Sequence, residues 1–207
     1  MFDLDGTLAD TGPDLANSVN FTRGQFNLVS LAAHSVYRHI GRGVDHLLQC
    51  AIPELGQDHF EDVRGVFLRH YEEHLLDQTA LYPGIREVLD DFSNKRRAVV
   101  SNKFHRLAVK LLDGLGVENC FDAIFGGDSA AEKKPAPALL NAALKQFRLP
   151  AARAVMVGDG DIDIEAGKRA GVMTCGVTYG LGDKSDLMAA RPDVVIHEPI
   201  ELADYFL

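Results

Sequence analysis

Short apolar runs rich in β-branched residues recur along the second half of the chain, and each ends at Gly, Asp, Ser or Asn. They are RAVVSN, DAIFGGD, RAVMVGDG, MTCGVT and PDVVIH, and stretches with helical spacing separate them. This alternation predicts βαβ units and an α/β fold built on a parallel sheet. Because open parallel sheets bind ligands outside the carboxyl ends of their strands, the polar strand endings are the expected place for chemistry.

The segment 13–81 has a different pattern. It contains helical stretches such as VDHLLQCAI and FEDVRGVFLRHYEEHLLDQ and no convincing strand. The stretch LYPGIREVLDDF then supplies a Pro-Gly break and a new amphipathic helix, which returns the chain to the sheet. The pattern predicts a helical insertion over 13–81 within a sheet domain formed by 1–12 and 82–207.

Composition limits the partners of the protein. The chain has 207 residues and a formal net charge of -9, so we expect no binding to nucleic acid or to anionic lipid, which usually requires a basic patch. The sequence contains neither an apolar stretch of the roughly 18 residues that cross a bilayer nor the pattern of a signal peptide. A cytoplasmic protein with no membrane partner is therefore expected.

The cysteines and histidines give little indication of a site. Cys50, Cys120 and Cys175 are odd in number and lack CxxC spacing, so the sequence predicts neither a disulfide framework nor a zinc site, and the usage fits a reducing compartment. His39 and His46 flank the stretch IGRG, and the histidines form no cluster along the sequence.

The stretch DLDGT near the start places two carboxylates one residue apart. A turn just past a strand end can bring Asp3 and Asp5 to one site, and Gly6 permits the backbone to bend. One carboxylate can then act as a nucleophile or metal ligand and the other as a proton carrier. The alternative is a polar turn in which Thr7 caps a helix.

Two later stretches carry groups suited to an anion. Ser101 and Asn102 end a strand, where a hydroxyl and free amides can hold a phosphate oxygen, although Ser-Asn is also a common helix start. Pro135 holds Lys134 in an extended position that suits a lysine directed at an anion. A solvated pair with Lys133 is the alternative.

The stretch VMVGDGDIDIEAG places Asp159, Asp161 and Asp163 directly after an apolar run. Three carboxylates this close repel one another unless a cation compensates, and hard oxygen ligands favour Mg²⁺. A flexible acidic turn is the alternative. The sequence therefore predicts a magnesium site at this strand end.

Together and in this order, FDLDGTLADT, SNK, KPAP and GDGDID resemble the four motifs of the haloacid dehalogenase-like phosphohydrolase superfamily, and the resemblance covers essentially the whole chain. It implies a Rossmann-like parallel sheet with a mobile cap, and the helical insertion is similar to the four-helix cap of that family. Only two residues precede Asp3, whereas family members usually have several apolar residues there, so we expect an unusually short first strand.

Further stretches resemble the phosphoglycolate phosphatase group within this superfamily. They are IGRG, YPG, GGD before KKPAP, GVTYG and RPDVVI. Phosphatases of other small phosphate esters, pyrophosphatases and β-phosphoglucomutase share most of these features. The resemblance implies a small phosphorylated metabolite as substrate and a monomer or homodimer.

The resemblance also implies roles for the acidic residues. Asp3 would attack phosphorus and form an aspartyl-phosphate, while Asp5 would protonate the leaving oxygen and later deprotonate water. Mg²⁺ would be bound by the Asp3 carboxylate, the Asp5 backbone carbonyl and Asp159. Asp163 would orient a metal-bound water.

Further residues are expected to bind the substrate. Ser101, Lys134 and the amides around Gly6 and Asn102 would balance charge on the transferring phosphoryl group. Arg42, between two glycines, is interpreted as reaching the substrate beyond its phosphate, because a guanidinium suits a carboxylate such as that of phosphoglycolate. An exposed arginine in a helix-start turn is the alternative.

Rival classes fit the sequence less well. Signalling receiver domains also place acids and a lysine around Mg²⁺, but they are about half as long, lack a helical insertion and lack the acid that Asp5 supplies. The other alternative is a catalytically retired protein that binds a partner through the cap groove. All four motifs are intact, and only the short start favours it. Asp5 disfavours a dehalogenase, and the absence of lysine from 13–81 disfavours phosphonate hydrolysis by a cap lysine.

Overall fold

The structure is a computed structural model that describes residues 1–56 and 58–207. Its described residues form seven short strands: β1 (Ala9–Asp10), β2 (Ala80–Leu81), β3 (Ala98–Val100), β4 (Ala123–Phe125), β5 (Val155–Gly158), β6 (Met173–Val177) and β7 (Val194–Ile196). They also form ten α-helices: α1 (Gly12–Gln25), α2 (Ala33–Tyr37), α3 (Val44–Ala51), α4 (Phe60–His74), α5 (Ile85–Asp91), α6 (His105–Gly114), α7 (Ala138–Phe147), α8 (Asp161–Ala170), α9 (Lys184–Ala189) and α10 (Leu202–Phe206).

The main sheet is parallel, and the first residues of the chain join its two halves. Strands β3 and β4 pair with each other, as do β5 with β6 and β6 with β7. Phe2 bridges Val99 on one side and Val157 on the other, and the Asp3 amide donates to Val157 O at 2.9 Å. The predicted α/β fold with a parallel sheet is confirmed. The short first strand expected before Asp3 is reduced to bridges of Phe2, which lie between β3 and β5.

Alternate residues of β3 face opposite sides of the sheet, as the two-residue period of a strand requires. Ala98 and Val100 belong to a core cluster with Leu139 and Leu140 of α7, whereas Val99 belongs to the larger cluster on the other face. All three β3 residues are fully buried. Burial on both faces explains why the strands read as continuous apolar runs.

Helices α1 to α4 occupy most of the predicted insertion. The expected helices of VDHLLQCAI and FEDVRGVFLRHYEEHLLDQ are confirmed as α3 and α4, and Phe67 and Tyr71 of α4 are fully buried. The expectation that 13–81 contains no strand is wrong at its end, where β2 pairs antiparallel with β1. Among the described residues, no helix combines the length and apolar character needed to cross a membrane.

Candidate active site

Polar residues from separate parts of the sequence meet at the carboxyl end of the central strands. Asp3 ends the first segment, Ser101 follows β3 and Asp159 follows β5, and each is at least nine-tenths buried. Parallel strands expose their carboxyl ends at the same edge, so strand topology alone brings these side chains together. Lys134 reaches the same place from the loop between β4 and α7.

Lys134 is the buried cation of the site. Its Nζ lies 2.9 Å from Asp3 Oδ1 and 2.6 Å from Asp163 Oδ1, and its side chain is fully buried. Burial by itself would lower the pKa of Lys134, but Asp163 and Asp3 outweigh it and raise that pKa above its ordinary value. Lys134 therefore stays charged between two carboxylates.

Three buried carboxylates surround a common space. Oxygen atoms of Asp3, Asp159 and Asp163 lie within 4.8 Å of one another. Burial raises the pKa of Asp3 to about 7, with Asp163 and Asp5 adding to the rise and Lys134 opposing it. Burial and the Asp3 charge likewise raise the pKa of Asp159 to about 6. The site therefore holds more negative charge than Lys134 compensates.

Asp3 has an oxygen that is available to a further partner. Its Oδ1 is paired with the Lys134 ammonium at 2.9 Å and accepts no hydrogen bond from any other described residue. The possible metal-ligand atoms of the cluster are all carboxylate oxygens, which suit a hard divalent cation. Asp3, Asp159 and Asp163 could therefore hold a metal ion.

Asp159 is held from three directions. Its Oδ1 accepts from the Thr7 hydroxyl at 3.1 Å, and its Oδ2 accepts from the amides of Leu181 and Gly182 at 2.9 and 2.8 Å. Backbone donors on a carboxylate favour its charged form and partly oppose the effect of burial. The loop after β6 thus fixes the orientation of Asp159.

Gly6 has a steric function besides the predicted one. Its amide donates to Ala9 O at 2.9 Å in this structure, and phosphate binding by the amides around Gly6 stays a prediction. Gly6 has a φ of +81°, and a Cβ built on it would lie 2.1 Å from Asp159 Oδ2. Only glycine allows the first turn and the Asp159 carboxylate to approach this closely.

Lys103 makes a buried contact with Asp5 that the sequence interpretation missed. Its Nζ donates to both oxygens of Asp5, at 2.8 and 3.1 Å, and to the hydroxyl of Tyr71 at 2.9 Å. Thr11 adds a hydroxyl to Asp5 Oδ1 at 2.8 Å. Burial would lower the pKa of Lys103, but Asp5 and Tyr71 outweigh it and raise that pKa. The stretch SNK places Lys103 directly after Asn102 but carries no signal for the direction of its side chain.

Asn102 orients Lys134 through its side chain. Its Oδ1 accepts from the Lys134 amide at 2.8 Å, and its Nδ2 donates to Lys134 O at 3.0 Å and to Gly41 O at 3.1 Å. Ser101 Oγ accepts from the Lys103 amide at 3.3 Å. These contacts connect the loop after β3 with the lysine and with the IGRG loop.

Arg42 lies at the mouth of the site. Its Nη2 is 2.5 Å from Asp161 Oδ2, and 43% of its side chain is exposed. Both residues line a cavity of about 60 Å³ that also includes Asp3, Asp5 and Asp159. The space is enough for a small polar molecule.

Comparisons with known proteins agree with this geometry. The sequence model described as haloacid dehalogenase-like hydrolase matches residues 1–177. A phosphoglycolate phosphatase from Colwellia psychrerythraea is 36% identical over 93% of this chain and 89% of that protein. One from Aquifex aeolicus is 36% identical over 98% of this chain and 93% of that protein.

The fold has a close counterpart among solved structures. The crystal structure of a predicted phosphoglycolate phosphatase from Haemophilus somnus superposes with a TM-score of 0.93 at 31% identity, over 98% of this chain and 95% of that one. The resemblance noted from the four motifs is thereby confirmed. By its sequence match, its relatives and its fold, the chain belongs to the haloacid dehalogenase-like hydrolase family.

Proposed function

We propose that the protein is a Mg²⁺-dependent phosphatase of small phosphorylated metabolites and that its substrate is 2-phosphoglycolate. The observation that carries the proposal is the buried cluster of Asp3, Asp159 and Asp163 around Lys134, in which Asp3 Oδ1 has no partner other than the Lys134 ammonium. The choice of substrate draws support from the phosphoglycolate phosphatases that are 36% identical to the chain.

Asp3 is the proposed nucleophile. Its carboxylate oxygen forms a bond to phosphorus in line with the leaving alcohol, whose bond to phosphorus breaks, and an aspartyl-phosphate results. Water then attacks phosphorus and releases both phosphate and the Asp3 carboxylate. Lys134 and Ser101 are proposed to balance the charge of the phosphoryl group, and Asn102 holds Lys134 in place.

Asp5 is the proposed proton carrier. It gives a proton to the departing oxygen and later takes one from the attacking water. Both Asp5 oxygens accept hydrogen bonds from Lys103 in the structure. For Asp5 to donate a proton, one of these bonds must be replaced by the substrate, so Lys103 is expected to shift when the substrate binds.

Magnesium fits the oxygen donors of the site. We propose that Asp3, Asp159 and the backbone carbonyl of Asp5 hold it and that Asp163 orients a water on it. When bound, the ion offsets the negative charge of the phosphate and of the carboxylates. Asp163 already has both oxygens engaged, with Lys134 and with the Gly160 amide, which suits an orienting function.

We also propose that segment 13–81 is a cap over a core formed by 1–12 and 82–207. The contacts of Gly41 with Asn102 and of Arg42 with Asp161 support this division, because they join the segment to the core beside the site. A substrate carboxylate would compete with Asp161 for Arg42.

The first test is release of inorganic phosphate from 2-phosphoglycolate with Mg²⁺, beside glucose 1-phosphate and pyrophosphate. We expect Asp3→Asn to abolish turnover and Asp5→Asn to reduce it by about 10²-fold or more. Asp113→Asn, which changes an exposed carboxylate on α6, is the matched control and should retain full activity. Normal turnover by Asp3→Asn, or preference for another substrate, would contradict the proposal.

The role of Arg42 has its own test. Arg42→Ala should raise KM for 2-phosphoglycolate more than KM for a phosphate ester without a carboxylate, such as ethyl phosphate. Only 2-phosphoglycolate has a carboxylate that Arg42 could bind. Arg69→Ala, on the exposed face of α4, is the matched control. Equal changes in both KM values would reject Arg42 as a specificity residue.

A further inference from the structure

A second group of metal-ligating side chains lies in segment 13–81 and shares no residue with the acidic cluster. His39 follows α2, and α3 carries His46 and Cys50 one helical turn apart; all three are half-buried. One ring nitrogen from each histidine and the cysteine sulfur lie within 4.8 Å of one another. His46 Nε2 is 3.7 Å from Cys50 Sγ.

These separations are close to those of a tetrahedral zinc site. Zinc bonds of about 2.0–2.1 Å to nitrogen and 2.3 Å to sulfur place ligand atoms roughly 3.4–3.6 Å apart. The His46–Cys50 pair already has nearly this spacing, because residues four apart on a helix share a face. His39 lies in a turn rather than a helix, so a small movement of that turn would bring its ring nitrogen to the same spacing from the other two ligand atoms.

The ligand types select a different metal from the one proposed for the acidic cluster. Imidazole and thiolate suit Zn²⁺, whereas Mg²⁺ prefers oxygen. A thiolate from Cys50 supplies one negative charge. Arg38 and Arg42 lie close enough to affect the two histidines, but Arg42 is paired with Asp161, which reduces the repulsion of a cation.

We propose that His39, His46 and Cys50 bind a divalent cation of the zinc class, with one coordination position left open to water. The site spans the IGRG loop, since His39 precedes it and His46 follows it. A bound ion would join the turn after α2 to α3 and restrain the loop that carries Gly41 and Arg42. The site is independent of the phosphatase chemistry proposed for Asp3.

The experiment uses the chelator-treated full chain in excess Mg²⁺, which fills the acidic cluster, and titrates it with Co²⁺ as a spectroscopic probe. We expect one equivalent of Co²⁺ to give a thiolate-to-cobalt charge-transfer band with the visible bands of a tetrahedral site. Zn²⁺ should displace the cobalt and raise Tm. Cys50→Ser should abolish the charge-transfer band.

Ligand variants and a matched control make the result specific. His39→Gln and His46→Gln should each weaken Zn²⁺ binding by at least about tenfold. Loss of a residue that only hydrogen-bonds to a metal ligand already costs about this much, so loss of a ligand itself should cost no less. Cys120→Ser, which removes another free half-buried cysteine, should bind as the unchanged chain does. The proposal is overturned if no charge-transfer band forms, if the band survives Cys50→Ser, or if zinc binding is equal in all four variants.

Discussion

Substitution of Gly6 tests whether the close approach of the first turn to Asp159 creates the metal site. The Cβ of Gly6→Ala would lie 2.1 Å from Asp159 Oδ2 and 2.7 Å from its Cγ. Ordinary contacts need more than 3 Å, so the carboxylate must move by about 1 Å, and a misplacement of that size can cost on the order of 10²-fold in rate. The positive φ adds a strain of roughly 1–2 kcal/mol.

Gly116→Ala separates the strain from the collision. Gly116 has a φ of +69°, and its Cβ would meet only the flexible end of Arg86, at 3.7 Å. We expect both variants to lose stability without metal, and Gly6→Ala to lose more because of the collision. Only Gly6→Ala should also lose turnover and the rise in Tm that Mg²⁺ produces. Thermal unfolding with and without Mg²⁺, beside phosphate release, measures both. Equal Mg²⁺ shifts and equal rates in the two variants would refute the reasoning.

Three further predictions concern charge and stability. Without divalent cations, the free energy of unfolding should rise as pH falls from 8 towards 5. The native pKa values of Asp3 and Asp159 are about 7 and 6, against 3.8 in the unfolded chain. Both carboxylates therefore bind protons more tightly in the native state, which stabilises it as the pH falls. Over this range the Asp159 part is about 1.4 kcal/mol, one pH unit from 6 to 5 at 1.36 kcal/mol per unit. Excess Mg²⁺ should remove the trend, and a flat profile without metal would contradict the prediction. In denaturant unfolding, Lys103→Met should lower the free energy of unfolding by about 3–5 kcal/mol, because it leaves a buried carboxylate unpaired. Tyr71→Phe, which removes one hydrogen bond, should lower it by about 1 kcal/mol. Similar losses in the two variants would argue against the Lys103–Asp5 charge pair. Asp14→Asn should lower the free energy of unfolding by about 1–3 kcal/mol, because the Asp14 carboxylate accepts hydrogen bonds from the amides that precede β2. Its kcat/KM should be unchanged. A large loss of activity would place Asp14 in the catalytic machinery instead.

The sheet and the residues at its strand ends could be predicted from the sequence because their signals are local. All five apolar runs form strands, since a strand covered on both faces needs apolar residues at every position. Ser101 and Asp159 each follow such a run directly, and Asp3 follows the short apolar start Met1-Phe2. A parallel sheet therefore collects all three at one edge. Their common location can therefore be predicted without knowing where any side chain points.

Long side chains and close approaches could not be predicted in this way. Lys103 reaches Asp5 across 98 positions of sequence, and nothing in SNK indicates where a flexible four-carbon chain points. The contact of Gly6 with Asp159 likewise depends on how two distant loops pack. His39 and Cys50 have no recognisable ligand spacing, because the glycine-containing turn between them, and not a motif, brings them together.

The polar contacts of the site divide into those that a moving cap would keep and those it would break. Asn102 holds the Lys134 backbone through two hydrogen bonds within the core, so opening of segment 13–81 would remove only its bond to Gly41. The cation that faces Asp3 would therefore stay in place. Tyr71, by contrast, lies on α4, so opening would remove a hydrogen-bond partner from Lys103 and loosen its hold on Asp5. Cap movement would thus act on proton transfer by Asp5, while the electrostatic stabilisation of the phosphoryl group stays preorganised in the core.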